Sequence, residues 1–141
     1  MKKLLLAGLL TVAVSAPAAA ELADELAAPY LHIQVALAND SIDGVADAAA
    51  SIAAAAAALG DAGAAIAASA EALAAAQDLR TARAVFGPLS DAFIAYGEEA
   101  GYGELRVAYC PMVDKSWVQA AGGIRNPFYG SQMLTCGEFT K

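Results

Sequence analysis

The chain has 141 residues with a formal net charge of −7, and apolar residues make up 59% of it. A surplus of acidic groups disfavours binding to nucleic acids and to anionic membrane surfaces, because both carry charge of the same sign. The length is sufficient for one domain with one hydrophobic core. Composition therefore indicates a small acidic domain whose partners are neither nucleic acid nor an anionic membrane.

The first twenty residues have the pattern of a secretory signal peptide. Two lysines come first, Leu4–Val14 is apolar but short for a membrane span, and Ala18 and Ala20 form an A-x-A arrangement. We predict cleavage after Ala20, which leaves 121 of the 141 residues and moves the formal charge from −7 to −9 because both lysines are lost. A signal of this kind predicts export to a bacterial periplasm, and no later apolar run is long enough to predict a membrane span in the mature chain.

Residues 21–104 have the spacing of apolar positions that is typical of packed helices. Spacings of three, four and seven residues place apolar side chains on one face of each helix, and alanine favours both helix formation and close packing of helix backbones. We expect a first helix that starts near Pro29 after a frayed lead-in. The other predicted helices span about Asp43–Leu59, about Ala62–Gln77, and about Asp78 or Thr81 to Glu99.

Local signals refine this prediction. Asp40, Ser41 or Asp43 is expected to cap the second helix, and Pro88 should kink or break the fourth. The stretch ELRVAYC, which ends at Cys110, alternates in polarity and predicts a short strand. The predicted fold is mainly α: an up-down bundle of three to four helices, followed by a loop-rich C-terminal tail. We call residues 105–141 the tail, and expect it to pack on the bundle as part of a single domain, residues 21–141.

The tail contains both cysteines of the chain and two of its three methionines. If CPM is extended, Cys110 and Met112 point to the same side, and a helical turn brings Met133 and Cys136 together. Two thiols and two thioethers form a soft donor set, which favours Cu(I), with Ag(I) as a mimic, over metals that prefer harder ligands. We call these four residues the sulfur site and predict that they bind Cu(I).

Two further residues are weaker candidates for contact with a metal. Trp117 is close in sequence to Met112, and its ring either faces the ion or belongs to the core. His32 is the only histidine and is either an additional ligand or a surface residue. With no nucleophile–histidine–acid pattern, phosphate-binding loop or C-x-x-C sequence, we do not expect an enzyme.

A disulfide between Cys110 and Cys136 is the alternative for the cysteines. An oxidising compartment favours such a bridge, and two cysteines allow only one intramolecular pairing. The bridge alone gives no reason for a methionine beside each cysteine, and methionines are ordinarily core residues. Both hypotheses stay open, and they are compatible if metal loading depends on the redox state of the thiols.

The tail also resembles a bacterial domain-of-unknown-function family whose pattern is CPM…W…I.NPY.G..ML.CG. That family occurs alone or fused to periplasmic adaptor subunits of heavy-metal efflux systems for copper and silver. The resemblance covers almost all of the mature chain. This chain departs from the family pattern at two points. Phe128 stands where tyrosine is common, and the connection between CPM and the tryptophan is shorter. The matching residues are Ala36–Ser41, Arg83, Phe86, Ser90, Cys110, Met112, Trp117, Asn126, Pro127, Gly130, Met133 and Cys136.

This resemblance implies a periplasmic role related to metals, namely copper binding or resistance. The sequence therefore predicts a Cu(I)-binding protein that buffers copper, delivers it or takes part in its efflux, with an efflux adaptor or a copper-handling protein as partner. The alternative is a disulfide-stapled helical interaction module of an efflux or envelope complex, with no metal of its own.

Overall fold

The computed structural model describes residues 24–141, so the predicted signal peptide lies outside the described part of the chain. Four helices are followed by a small antiparallel sheet, which confirms the predicted mainly α fold with a strand-containing tail. The elements are α1 (Asp24–Ala38), α2 (Val45–Ala57), α3 (Ala64–Ala74), α4 (Leu79–Ala100), β1 (Arg106–Cys110), β2 (Lys115–Gln119) and β3 (Glu138–Phe139), with 3₁₀ turns at Gly60–Gly63 and Gly130–Gln132. None of the helices within residues 24–141 is long and apolar enough to cross a bilayer.

Two prolines lie inside helices, although the sequence analysis expected α1 to start near Pro29 and α4 to be kinked or broken at Pro88. Helix α1 begins at Asp24 and includes Pro29, and α4 continues through Pro88 without a break. Proline removes one backbone hydrogen bond from a helix interior, which costs about 3 kcal/mol in an isolated helix. Burial of Leu26 in the first turns of α1 and of Leu89 beside Pro88 offsets this cost, since both side chains lie in the core.

The alanine-rich helices α2 and α3 bury one face each, as the sequence indicated. Ala49 and Ala56 of α2 and Ala70 of α3 are fully buried, together with larger apolar residues at helical spacing. A side chain as small as alanine allows two helix backbones to approach closely. The pair forms a helical hairpin whose buried face packs on the rest of the bundle.

The tail forms a three-stranded antiparallel sheet in the order β2-β1-β3. Only β1 was predicted from the sequence; β2 and β3 were missed. In the β1–β2 pair Ala108 faces Trp117, and in the β1–β3 pair Tyr109 faces Glu138. The short strand β3 thus forms one edge of the sheet and pairs with the central strand β1.

Tyr30 joins the sheet to the helical bundle. Its ring is fully buried and stacks on Phe93 of α4, with ring centroids 4.2 Å apart. Its hydroxyl shares a 2.6 Å hydrogen bond with Ser90 and accepts one of 3.1 Å from the backbone N–H of Val118 in β2. Burial raises the pKa of the Tyr30 phenol above its ordinary value. One buried hydroxyl therefore forms hydrogen bonds with the helical bundle and with the sheet, which fixes the sheet against α1 and α4.

Candidate sulfur site at the end of the sheet

The two cysteines meet at one end of the sheet. Cys110 is the last residue of β1, and the pairing of Tyr109 with Glu138 carries Cys136 to its side. They form a disulfide with Cα atoms 5.8 Å apart, within the usual range for such bridges. Cys110 is 0% exposed, whereas Cys136 is partly exposed. In this form neither sulfur is a thiolate, so neither is a strong metal ligand.

The two methionines of the sulfur site occupy turns. Met112 is not in an extended segment, as the sequence analysis assumed, because β1 ends at Cys110 and a turn follows. Its side chain is 63% exposed, the highest fraction among the large apolar residues described. Met133 is half-buried, and its carbonyl oxygen accepts a 3.0 Å hydrogen bond from the backbone N–H of Cys136. A single backbone turn therefore connects Met133 to Cys136.

Trp117 is a core residue in this structure. It is 0% exposed, its indole N–H donates a 2.9 Å hydrogen bond to Gln119, and its ring meets Phe128 edge-on at 6.1 Å. Its far edge also lies beneath Gly137, where a Cβ would come within 2.9 Å of the ring. Trp117 therefore forms an apolar wall under the residue that follows Cys136.

His32 lies on the exposed side of α1, at the connection to α2. Its Nε2 is 3.1 Å from the carbonyl oxygen of Asp43, and a Cβ on Gly44 would come within 2.6 Å of the same nitrogen. The ring thus packs on the backbone of the α1–α2 connection. These contacts give His32 a local role in the turn.

Asn126 holds the segment that carries Cys136. It is fully buried, and its backbone N–H donates to the carbonyl of Leu134 at 2.7 Å. Its side-chain amide donates to the carbonyl of Cys136 at 3.0 Å, while its side-chain oxygen accepts from the N–H groups of Phe128 and Tyr129. Its backbone carbonyl accepts from the N–H of Gly130 at 3.1 Å, so all four hydrogen-bonding groups of Asn126 are used and the residue fixes the path of the chain towards the disulfide.

Arg83 and Asp40 attach the tail to the helices. The Arg83 guanidinium donates to the carbonyl oxygens of Pro127 at 2.8 Å and Leu37 at 2.7 Å, and to the Asp40 carboxylate at 2.6 Å. The other carboxylate oxygen accepts from the backbone N–H of Ser131 at 3.1 Å. We call Arg83, Asp40 and the tail residues that they bind the anchor. Asp40 was one of three residues, with Ser41 and Asp43, that were expected to cap α2. It anchors the tail instead, and none of the three caps α2, because Gly44 precedes that helix without a side-chain cap.

The anchor predicts a dependence of stability on acidity. Hydrogen bonds from Ser131 and then from Arg83 lower the pKa of Asp40 to about 2. Because this pKa is below its unfolded value near 3.8, the carboxylate stabilises the fold above about pH 4, and that contribution is lost as the pH falls towards 2. Urea unfolding midpoints should fall over this window, and less steeply in Asp40→Asn, which has no carboxylate to titrate. Equal slopes in both proteins would contradict the role of Asp40.

Most tail residues of the quoted pattern have an architectural role. Cys110, Trp117, Asn126, Pro127 and Gly130 are buried, and Met133 and Cys136 are partly buried. Met112 differs, because its thioether is largely exposed next to the disulfide. An apolar side chain that stays exposed contributes little to the stability of the fold. The pattern therefore combines a buried scaffold with one thioether that the scaffold does not require.

Within residues 24–141, no group of three or more His, Cys, Asp or Glu side chains lies close enough together to hold a metal ion. Comparisons with models of known protein families, with curated protein sequences and with solved structures found no match. The resemblance to the efflux-associated family therefore stays a prediction from the quoted residues.

Proposed function

We propose that this chain is an exported soft-metal protein that binds Cu(I) through the sulfur site when Cys110 and Cys136 are reduced. The observation that carries the proposal is the meeting of the two cysteines directly beside the turn that exposes Met112. Thiolates and thioethers are the donors that Cu(I) prefers, and the sulfur site supplies both kinds. The acidic surface is also compatible with a cationic cargo.

The disulfide limits this proposal to the reduced protein. Metal ligation requires deprotonated thiols, so the bridged form should not take up the ion. Reduction would return two thiols whose Cα atoms are 5.8 Å apart, and residues near the bridge would keep them together. The proposed place of action is the periplasm, where the protein would buffer copper or pass it to an efflux adaptor or another copper-handling partner. It would act by binding and not by catalysis.

The contribution of the thioethers can be measured with Met112→Leu and Met133→Leu. Leucine retains the apolar volume but removes the sulfur, so each change should weaken Cu(I) binding while leaving the fold intact. Mutation of a group that only orients a metal ligand typically lowers metal affinity ten- to a hundredfold. Loss of a direct ligand should therefore lower the affinity for Cu(I) by at least about tenfold. The measurement is an anaerobic titration of reduced protein with Cu(I) in competition with a coloured chelator.

Ile42→Leu is the matched control, because Ile42 is also an exposed apolar side chain but contains no sulfur. It should bind Cu(I) as the wild type does. Serine at both cysteines should abolish tight binding. If both methionine variants bind as tightly as Ile42→Leu, the thioethers are not ligands and the four-sulfur site is wrong.

The second candidate is a disulfide-stapled interaction module of an efflux or envelope complex, without a metal of its own. The formed bridge, with Cys110 fully buried, favours it. Thiol titration of protein freshly isolated from the periplasm separates the candidates when it is combined with the Cu(I) titration. Complete oxidation together with no Cu(I) uptake after reduction would favour the module.

A further inference from the structure

The two cysteines of the disulfide differ in their access to solvent. Cys110 ends a strand in the interior of the sheet and is 0% exposed. Cys136 lies at the end of the turn before the short strand β3 and is partly exposed to solvent. A thiolate that attacks a disulfide must reach one sulfur along the axis of the bond, and the rate depends on access to that sulfur. Of the two cysteines, only Cys136 has surface exposed to solvent, which favours an approach from its side.

We infer that an external dithiol opens the bridge by attack on the sulfur of Cys136. This inference rests on the proposed function, since it describes how the metal-binding form would be produced. A thiolate of the dithiol forms a bond to Cys136, the Cys110–Cys136 bond breaks, and its electron pair passes to Cys110, which takes up a proton. The second thiol of the dithiol then attacks the mixed disulfide and releases Cys136 as a thiol. The protein gains two electrons and the dithiol becomes a disulfide.

The contacts around Cys136 favour such a local reaction. The carbonyl of Cys136 is held by the side chain of Asn126, and β3 is hydrogen-bonded to β1 next to the bridge. Further along, the backbone N–H of Thr140 donates to the carbonyl of Val107 at 2.8 Å. These bonds do not depend on the disulfide. After reduction they would retain Cys136 next to Cys110, so the two thiols would be available together.

The inference can be tested with glutathione as a single-thiol probe. Oxidised, folded protein is incubated with excess glutathione, quenched with acid and digested, and the mixed-disulfide peptides are quantified by mass spectrometry. Because Cys110 is inaccessible, adducts on Cys136 should exceed those on Cys110 by about tenfold or more. Equal labelling, or adducts mainly on Cys110, would overturn the inference. So would a bridge that dithiothreitol reduces only after the protein has been unfolded in urea.

Single-cysteine variants give an independent measure of the same asymmetry. The thiol of Cys136 in Cys110→Ser should react with an aromatic disulfide reagent about tenfold faster than the thiol of Cys110 in Cys136→Ser. In urea the two rates should become similar, which controls for intrinsic reactivity. Equal rates in the folded proteins would overturn the inference. Neither assay contains copper, so failure of the Cu(I) titration would leave these results unaffected, and the reverse also holds.

Discussion

Replacement of Gly130 by alanine should lower the free energy of unfolding by about 3 kcal/mol, because two penalties act at one position. Gly130 has φ of +58°, a region that residues with a Cβ rarely adopt. An added Cβ would also overlap the anchor, at 2.1 Å from Asp40 Oδ1 and 2.2 Å from Arg83 Nη2. Either the two side chains or the tail would have to shift, and the hydrogen bonds of the anchor would be weakened. Urea unfolding followed by circular dichroism measures the effect.

Gly60→Ala is the matched control. Gly60 has nearly the same φ, +60°, but no atom lies within 4 Å of the position that its Cβ would occupy. It therefore reports the backbone penalty alone, about 1 kcal/mol. A clearly larger loss for Gly130→Ala measures the steric cost of disturbing the anchor. Equal losses for the two variants would show that Asp40 and Arg83 do not closely enclose Gly130.

Reduction of the disulfide should lower the free energy of unfolding by about 3 to 4 kcal/mol. The cysteines are separated by 26 positions, and the chain-entropy model gives a value of this size for a loop of that length. The unfolded chain gains freedom when the bridge opens, while the folded chain retains the contacts of Asn126 and the β1–β3 pairing. Urea unfolding with and without reductant, under anaerobic conditions, measures the difference.

The double variant Cys110→Ser with Cys136→Ser is the control for effects of the reductant itself. Its unfolding midpoint should be the same with and without reductant and should lie near that of the reduced wild type. A wild-type midpoint that does not change on reduction, with complete reduction verified by mass, would contradict a stabilising role for the bridge.

Periodicity was sufficient to predict the helical part of the fold. Apolar residues that recur every three or four positions identified the buried face of each helix, and these faces are buried in the structure. The start of α1 near Pro29 and a break of α4 at Pro88 were not found, because the proline rules describe an isolated helix. At Pro29 and Pro88 the burial of neighbouring core residues outweighs the loss of a hydrogen bond, and no local pattern contains that information.

The small strands were harder to predict for a similar reason. In β1 the alternation was visible, but β2 includes the buried polar residue Gln119, and β3 has only two residues. Both strands are stabilised by pairing with β1, and β2 also packs on α4. Their formation depends on residues that are distant in sequence, so local preference does not reveal them.

For the candidate site, sequence identified the sulfur residues but not what surrounds them. The sequence shows directly that the thiols and thioethers are grouped in the tail. The approach of Cys136 to Cys110 depends on the β1–β3 pairing, which the sequence does not show. The anchor was missed entirely, because Arg83 and Asp40 are 43 positions apart and polar residues show no periodicity. The quoted pattern contains an asparagine, an aspartate and an arginine, which indicated a polar network. The pattern did not show which groups these residues bind.

The central claim is that the reduced sulfur site binds one Cu(I). Its most direct test is an anaerobic competition titration of reduced and oxidised wild-type protein, side by side, against the same chelator. The account predicts that the reduced chain withdraws one equivalent of Cu(I) from the chelator and that the oxidised chain withdraws none. A reduced chain that leaves all of the Cu(I) with the chelator, or an oxidised chain that binds equally well, would contradict it.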